Sequence, residues 1–328
     1  MVATSLDASG GVGAVNAFDP YPIIDVDREL GDDPVEREEP LGTKRKFWFR
    51  RQGVDRWLFK FCRPGTGEDW AERISADLAA RLSMPHAEVE LATFAGESGV
   101  VVRDFTLGGS QALVHGNELL SELDPTYSRS DFFRVRKHTV ESIVRALGEL
   151  WYTPDESLPG EVDDPVGMFT GYLMLDALIG NTDRHHENWG VLVIAELKDG
   201  GRLGVVAPTY DHASSLGREL SDEARRRKYA LPNGEYDVEK FVRKARSAIY
   251  AASTDAAPLS PIAAFRAFAQ ERPAAARAWL DRLAALAPDD VRASVDAVPS
   301  RTMSAPERQF AHGILACTRL QLLETEHG

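Results

Sequence analysis

The sequence predicts an α+β fold in two parts, a small β-rich N-terminal part followed by a larger helical C-terminal part. Three observations support this prediction. Short aromatic and aliphatic runs, typical of strands, are concentrated before residue 105. Apolar residues at helical spacing dominate most of the chain after residue 131. Between these regions and the C-terminal helices, residues 175–217 contain the densest polar cluster of the chain.

Composition limits the classes of protein to which the chain can belong. Its 328 residues are 43% hydrophobic, which is enough apolar material for one large two-lobed domain or two modest ones. The net charge of −13 argues against general binding of nucleic acids or anionic membranes. No apolar run reaches the roughly eighteen residues of a membrane span, and no signal-peptide pattern is found. Two cysteines far apart give no disulfide framework. We therefore expect a cytoplasmic protein.

The N-terminal segment is predicted to lead into a β-hairpin. Residues 1–39, rich in small and acidic residues, are expected to form a disordered or extended leader, with order beginning near Tyr21. Lys46–Arg50 and Asp55–Phe61 are predicted to be strands around a Gln52-Gly53 turn. The loop before them, Leu41-Gly-Thr-Lys-Arg-Lys46, has backbone amides and lysines suited to phosphate.

The rest of the N-terminal domain, residues 40–105, is predicted to complete a small sheet. Lys60 lies in the second strand, where its simplest interpretation is a snorkelling lysine. A helix with one apolar stripe is predicted over Glu68–Leu82. Strands over Glu88–Phe94 and Gly99–Val102 then give about four strands in all. Arg103–Phe105 is predicted to cross to the second domain.

The C-terminal domain, residues 106–328, is predicted to be mostly helical. It begins with a loop and a short helix in Thr106–Arg129. Two strands, Trp189–Ile194 and Leu203–Ala207, interrupt the helices. The basic run Arg225–Lys228 is either a solvated face or a contact for an acidic or phosphorylated substrate. Longer helices are predicted over Asp131–Leu150, Val166–Ile179, Val238–Ala252, Pro261–Gln270, Pro273–Leu286 and Pro306–Glu326.

The polar cluster has the residue types and spacing of a phosphoryl-transfer site. Gly180 ends a buried helix, and the following loop carries Asp183 and, five positions on, Asn188. A third oxygen ligand, Asp211, follows the end of a later strand. Oxygen ligands of this kind suit Mg²⁺ beside nucleotide phosphates. Protein kinases use the same order, with an Asp base, an Asn five positions later and a further Asp.

These segments resemble those of a known family. The run Gly-Asn-Thr-Asp-Arg-His-His-Glu-Asn188, followed by Pro-Thr-Tyr-Asp211, is similar to the catalytic and metal-binding segments of HipA-like kinases. The Asp-Arg-His-x-x-Asn core also resembles phosphatidylinositol kinases, but those have Asp-Phe-Gly where this chain has Tyr210-Asp-His-Ala-Ser-Ser215. The resemblance, strongest from about Pro40 to Gly217, implies a bilobal protein-kinase-like fold and an ATP- and Mg²⁺-dependent Ser/Thr protein kinase.

The resemblance also implies roles for individual residues. Asp183 would be the catalytic base, with Asn188 and Asp211 holding Mg²⁺. Lys60 would bind nucleotide phosphates and be oriented by Glu72, with Glu68 as the alternative partner. The remaining ATP-binding residues would be Gly42, Thr43 and Lys46 of the basic loop and the backbone of Val102, Arg103 and Asp104 in the crossing.

The resemblance implies a protein substrate and, if the chain is the toxin of a toxin–antitoxin pair, a cognate antitoxin. Full-length members contact the antitoxin through an additional N-terminal subdomain, for which the leader leaves no room. Some members also phosphorylate a serine in the phosphate loop. Thr43 is the hydroxyl that this loop offers instead.

Other interpretations stay open. A small-molecule or lipid kinase fits the Asp-Arg-His core, and a pseudokinase would bind nucleotide without transferring phosphate. His185, His186 and His212 allow a zinc site, but hydrogen bonds that fix the loop agree better with adjacent histidines that point apart and with the lack of a nearby cysteine. Ser214 and Ser215 are outside a Gly-x-Ser-x-Gly elbow and more simply shape the turn.

Overall fold

The computed structural model describes residues 20–30, 37–38, 45–51, 53–106, 111–131, 134–152, 157–196 and 201–324, and the structural statements below concern these residues. Within them, two sheets and eleven helices form a smaller and a larger lobe. The α+β, two-lobed prediction is therefore confirmed.

The smaller lobe is a six-stranded sheet with two helices. Its strand order is β1-β5-β6-β4-β3-β2, antiparallel except for β1, which pairs parallel to β5. The strands are β1 (Ile23–Asp25), β2 (Arg37–Glu38), β3 (Lys46–Arg51), β4 (Asp55–Phe61), β5 (Val89–Phe94) and β6 (Glu97–Arg103), and the helices are α1 (Val26–Leu30) and α2 (Glu68–Arg81).

Alternation along β4 decides which way its lysine points. Trp57 and Phe59 pack on the α1 side of the sheet, where Phe59 stacks against Phe47 at 5.3 Å between ring centroids. Leu58 belongs to the apolar cluster on the opposite side, which contains residues of α2. Since successive side chains of a strand point to opposite faces, Lys60 shares the face of Leu58 and is directed toward α2.

The larger lobe combines nine helices of the described chain with a four-stranded sheet of order β7-β9-β10-β8. The strands are β7 (Ala112–His115), β8 (Leu150–Tyr152), β9 (Gly190–Glu196) and β10 (Arg202–Val206). The helices are α3 (Gly116–Leu123), α4 (Val140–Gly148), α5 (Pro165–Ile179), α6 (Asp222–Tyr229), α7 (Val238–Val242), α8 (Pro261–Glu271), α9 (Pro273–Ala285), α10 (Pro288–Asp296) and α11 (Ala305–Leu323).

Helix α5 lies at the centre of the larger lobe. All of its residues are buried, and it contacts α4, α8, α9 and α11. Asp164 caps its start by accepting a hydrogen bond from the Gly167 N–H at 2.6 Å. Gly180, with φ +62°, ends it in the left-handed conformation that glycine adopts without a steric penalty. The helix therefore delivers the following polar loop from a fixed point in the core.

The two lobes contact each other at several places, including the following two. Between α2 and β5, the Ala87 N–H donates to the carbonyl of Thr209 at 2.9 Å. At the second place, the Ser294 hydroxyl of α10 donates to Asp77 of α2 at 2.7 Å. Tyr21, just before β1, donates from its N–H to the Ala297 carbonyl at 2.7 Å and from its hydroxyl to the Ser294 carbonyl at 2.8 Å.

Several predicted boundaries are wrong. The helix predicted over Asp131–Leu150 begins only at Val140, because Thr139 caps it by accepting the Ser142 N–H at 3.2 Å. The helix predicted over Val238–Ala252 ends at Val242. Sequence periodicity missed α6 and α10. It also missed β1 and α1, which lie inside the predicted leader, while the domain boundaries at residues 40 and 105 stay predictions.

The other main elements of the sequence analysis are confirmed to within a few residues, including the hairpin, α2, α5, α8, α9 and α11. Among the described residues, none of the helices is both long enough and apolar enough to span a membrane.

Gly171 lets α5 and α9 pack closely, which gives a first testable prediction. A Cβ at this position would lie 2.3 Å from the indole ring of Trp279. Gly171→Ala should therefore destabilise the protein by about 1–3 kcal/mol through overpacking, seen as a lower urea midpoint. Gly148→Ala is the matched control, because Gly148 ends α4 in open space. Equal midpoints for the two variants would contradict close packing at Gly171.

Candidate active site

A buried lysine joins the two lobes at the candidate site. Lys60 on β4 donates from Nζ to Glu72 Oε1 on α2 at 3.0 Å and to Asp211 Oδ1, which follows β10, at 3.5 Å. The Lys60 and Glu72 side chains are only 12% and 3% exposed. Burial lowers the pKa of Lys60, but the carboxylates of Asp211 and then Glu72 outweigh it, so this pKa lies above its ordinary value. The lysine is therefore a charged group held in a fixed position.

The structure distinguishes between the two glutamates considered as partners of Lys60. Glu72 makes the contact, whereas Glu68 accepts hydrogen bonds from the Arg63 N–H at 3.0 Å and from Arg218 Nη1 at 2.7 Å. Glu68 thus belongs to a different set of contacts.

The loop that carries Asp183 is anchored by side-chain amides. Asn181 donates from Nδ2 to Asp176 Oδ1 at 2.8 Å and accepts the Asp183 N–H at 3.1 Å. Asn188 donates from Nδ2 to the Asp183 carbonyl at 2.7 Å. The Thr182 N–H donates to the Ser214 carbonyl at 3.1 Å. Both ends of the loop are therefore tied to its neighbours.

A buried ion pair lies beneath this loop. Arg184 donates from Nε and Nη2 to the two oxygens of Asp176, both at 2.7 Å, and each side chain is 1% exposed. Its Nη2 also donates to Thr209 Oγ1 at 3.1 Å, and its Nη1 donates to the Asn188 carbonyl. One guanidinium thus fixes α5, the Asp183 loop and the chain after β10 relative to one another.

Asp183 itself is open to solvent. Its side chain is 45% exposed, and its Oδ2 accepts a hydrogen bond from the Ser214 hydroxyl at 3.3 Å. A carboxylate on a rigid loop, with access from solvent, has the geometry that a general base needs.

Asn188 and Asp211 fit the requirements of Mg²⁺. The Asn188 amide nitrogen is engaged with the Asp183 carbonyl, so its oxygen is the atom left for a cation. Asp211 has φ +59°, a left-handed conformation that aspartate tolerates better than most residues, at the position where its carboxylate faces Lys60. A carboxylate and an amide oxygen are the hard donors that Mg²⁺ prefers.

The other predicted ATP-binding residues differ in where the structure places them. Gly42 and Thr43 are not among the described residues. Lys46 is the cross-strand neighbour of Lys60. In the crossing, Val102 is buried within the sheet.

The next two residues of the crossing have engaged N–H groups. Arg103 and Asp104 donate to the carbonyls of Glu88 and Arg56 at 3.0 and 2.9 Å. These two N–H groups are already used by the sheet. Contacts between adenine and this segment stay a prediction. Arg103 and Asp104 would have to make them through their carbonyl groups.

The three histidines around the loop make hydrogen bonds, as the favoured interpretation expected. His186 Nδ1 and the Tyr127 hydroxyl share a hydrogen bond of 2.7 Å, and His212 Nε2 accepts from Thr209 Oγ1 at 2.8 Å. His185 Nδ1 accepts the Glu187 N–H at 3.2 Å. Burial, followed by the nearby Arg184, holds the pKa of His212 well below its ordinary value.

The basic run on α6 divides into two kinds of residue. Arg225 is buried and donates to Asp222 and to the Gly217 carbonyl, both at 3.0 Å. The other three basic residues, 226–228, are exposed. Their contact with an acidic or phosphorylated substrate stays a prediction.

Two interactions at the site were not predicted from the sequence. Asp176 was detectable as an acidic residue in an otherwise apolar helix, which signals a buried partner. The Glu68–Arg218 pair joins residues 150 positions apart and carries no local signal.

The fold and the site together define a protein-kinase-like architecture. A small sheet with one long helix supplies the buried lysine–glutamate pair, and a helical lobe supplies the Asp–Asn loop and the second aspartate. The family model of the HipA-like C-terminal domain matches residues 39–287, and the chain belongs to this family.

Solved structures with the same fold include two bacterial proteins. The Helicobacter pylori proinflammatory kinase CtkA is 17% identical with a TM-score of 0.67, and the match covers 93% of this chain and 97% of that chain. HipA of Shewanella oneidensis MR-1, in a complex with HipB and operator DNA, is 14% identical with a TM-score of 0.50. That match covers 93% of this chain and 66% of the HipA chain. A search of curated proteins found no significant match.

Two buried histidines near the loop predict acid sensitivity. His138 donates from Nδ1 to the Ala248 carbonyl at 3.0 Å and accepts Trp189 Nε1–H at 3.1 Å, so it is neutral. Burial lowers the pKa of His138 to about 3 and that of His186 to about 4. Unfolded histidine binds a proton near pH 6.5. The stability that each contributes is therefore complete above about pH 6.5 and is lost as the pH falls toward its folded pKa, about 3 for His138 and about 4 for His186.

Urea unfolding at pH 7.5 and 5.5 measures this effect. The free energy of unfolding should fall at the lower pH, approaching about 1.4 kcal/mol per pH unit for each histidine. His138→Gln, which keeps a donor and an acceptor, should show a smaller fall. The same fall in both proteins would contradict the assignment.

Proposed function

We propose that this chain is an ATP- and magnesium-dependent kinase that phosphorylates serine or threonine hydroxyls of another cytoplasmic protein. Membership of the HipA-like family and the likeness to CtkA support a phosphotransferase of kinase type. The observation that carries the proposal is Lys60, held charged between Glu72 and Asp211, which lies three residues before the Ser214 that donates to Asp183. Each residue then has a role that follows from its surroundings.

Lys60 binds the phosphate oxygens of the nucleotide. Its ammonium is already positioned by Glu72, so little side-chain entropy is lost when phosphate binds. Its second partner, Asp211, is 36% exposed, so this contact lies on the open side of the lysine. Phosphate oxygens therefore bind beside the Lys60 ammonium, which is already charged. No proton transfer to or from the lysine is needed.

Asp183 accepts the proton of the acceptor hydroxyl. As the hydroxyl oxygen forms its bond to the γ-phosphorus, the bond from that phosphorus to the leaving ADP oxygen breaks, and the proton passes to the carboxylate. Asn188 and Asp211 would hold Mg²⁺, which would neutralise charge on the phosphate oxygens. The anchored loop keeps Asp183 oriented for this transfer without reorganisation.

An antitoxin is the candidate partner. The Shewanella HipA structure contains HipB and operator DNA, and this chain spans 66% of the length of that HipA chain. A cognate antitoxin is therefore the partner to test for this chain.

A direct assay tests the function. Purified wild type should transfer label from γ-labelled ATP with Mg²⁺ to itself or to a protein in a cell lysate, detected by gel and intact mass. Asp183→Ala should reduce transfer by at least about 10²-fold, because proton abstraction by a positioned base contributes about 10²–10⁴-fold. Asp281→Ala, an exposed aspartate of α9, is the matched control and should retain activity.

The outcomes separate the competing functions. Equal transfer by Asp183→Ala and the control would refute the base assignment. Label on inositol lipids or small molecules alone would indicate a different acceptor class. Absence of any product, with a melting temperature still raised by Mg²⁺–ATP, would identify a nucleotide-binding pseudokinase.

A further inference from the structure

Helix α2 is attached to a short segment of the larger lobe. The roles proposed above do not depend on this attachment. This linking segment, Ser214–Arg218, begins three residues after Asp211. The Arg218 carbonyl accepts the N–H of Gly67, which precedes α2, at 3.1 Å. Arg218 Nη1 donates to Glu68 Oε1 at 2.7 Å. The hydroxyl oxygens of Ser75 and Ser215 lie 3.3 Å apart. The first two turns of α2 are therefore held from the opposite lobe.

Glu68, the first residue of α2, accepts several hydrogen bonds. Its side chain is 1% exposed, and it also accepts the N–H and the Nη1 of Arg63, both at 3.0 Å. A buried carboxylate needs such donors because its desolvation is otherwise uncompensated. Glu68 lies four residues before Glu72, about one helical turn. Any displacement of Glu68 is thus passed to the carboxylate that holds Lys60.

The other end of the same guanidinium reaches the catalytic loop. Arg218 Nη2 donates to the Ser214 hydroxyl oxygen at 3.1 Å, and this hydroxyl donates to Asp183 Oδ2 at 3.3 Å. The Arg218 side chain is 13% exposed. One continuous set of contacts therefore runs from Asp183 through Ser214 and Arg218 to Glu68, one turn from the Lys60–Glu72 pair.

We propose that Arg218 is a positioning residue that couples the placement of α2, and with it the Lys60–Glu72 pair, to the orientation of Asp183. The proposal rests on the kinase function above for its catalytic consequence, but the coupling itself is a property of the fold. Arginine suits this role because its rigid planar fork carries donors on separate nitrogens, so Nη1 and Nη2 reach acceptors on two different elements, whereas lysine donates from a single nitrogen. The site is then complete only when both lobes are joined through Arg218.

Steady-state kinetics tests the catalytic consequence. Arg218→Met should lower kcat about ten- to a hundredfold, the scale expected when reacting groups are misplaced by about 1 Å. Arg218→Lys should recover only part of this loss. Arg202→Met is the matched control, since Arg202 makes a similar two-bond pair with Glu122, at 2.7 and 3.0 Å, elsewhere in the larger lobe. It should leave kcat unchanged.

A double-mutant cycle separates positioning from a general loss of stability. If Arg218 acts through the Lys60–Glu72 pair, Arg218→Met should have much less effect in a Glu72→Gln background than in the wild type. Fully additive effects would overturn the proposal, as would wild-type kcat in Arg218→Met.

Hydrogen–deuterium exchange gives a readout that does not depend on catalysis. Arg218→Met should speed amide exchange in residues 68–75 of α2 while α9 keeps its wild-type rates, and Arg202→Met should change neither. Unchanged exchange in α2 would refute the coupling. A wild type that transfers no phosphate but shows faster α2 exchange in Arg218→Met would refute the proposed function while upholding the coupling.

Discussion

The structure of the site depends on one buried ion pair, Asp176 with Arg184. Two opposite charges withdrawn from water, one in the last turn of an apolar helix and one in the loop after it, are stable only if their donors and acceptors are engaged. The chain meets this requirement by wrapping its most polar loop around the guanidinium, with Thr209 and Asn181 completing the contacts. Removing one partner of such a pair typically destabilises a protein by about 3–5 kcal/mol. The loop is therefore rigid because the two buried charges, removed from water, need the contacts that it supplies.

In the smaller lobe, the alternation of side chains along β4 determines where Lys60 points. Lys60 faces α2 because it is an even number of residues from Leu58 on the α2 side and an odd number from the aromatic side chains on the α1 side. An insertion of one residue in β4 would place the ammonium among the phenylalanines, where it would lack a counter-ion. The register of β4 with β3 and β6 therefore determines the position of the Lys60 ammonium as well as the fold of the sheet.

Much of this arrangement was predictable from the sequence, for identifiable reasons. Long periodic elements such as α2 and α5 follow from their apolar spacing, and Asp183, Asn188 and Asp211 stand out by their spacing beside a helix end and a strand end. The boundary of α4 did not follow, because the Thr139 cap overrides the periodicity before it. The parallel strand β1 is three residues long, too short for any period. The Arg218 contacts depend on tertiary placement, which local patterns do not encode.

Two of the attachments between the lobes, at Thr209 and at α10, also affect how the lobes can move. A wide swing of the smaller lobe would have to break the Asp77–Ser294 hydrogen bond and withdraw Tyr21 from α10, in addition to disturbing the contact at Thr209. Large hinge motions of domains occur on microsecond to millisecond timescales, whereas side-chain and loop movements take picoseconds to microseconds. With its lobes held there and also by the Lys60 and Arg218 contacts, this fold favours the faster class of motion.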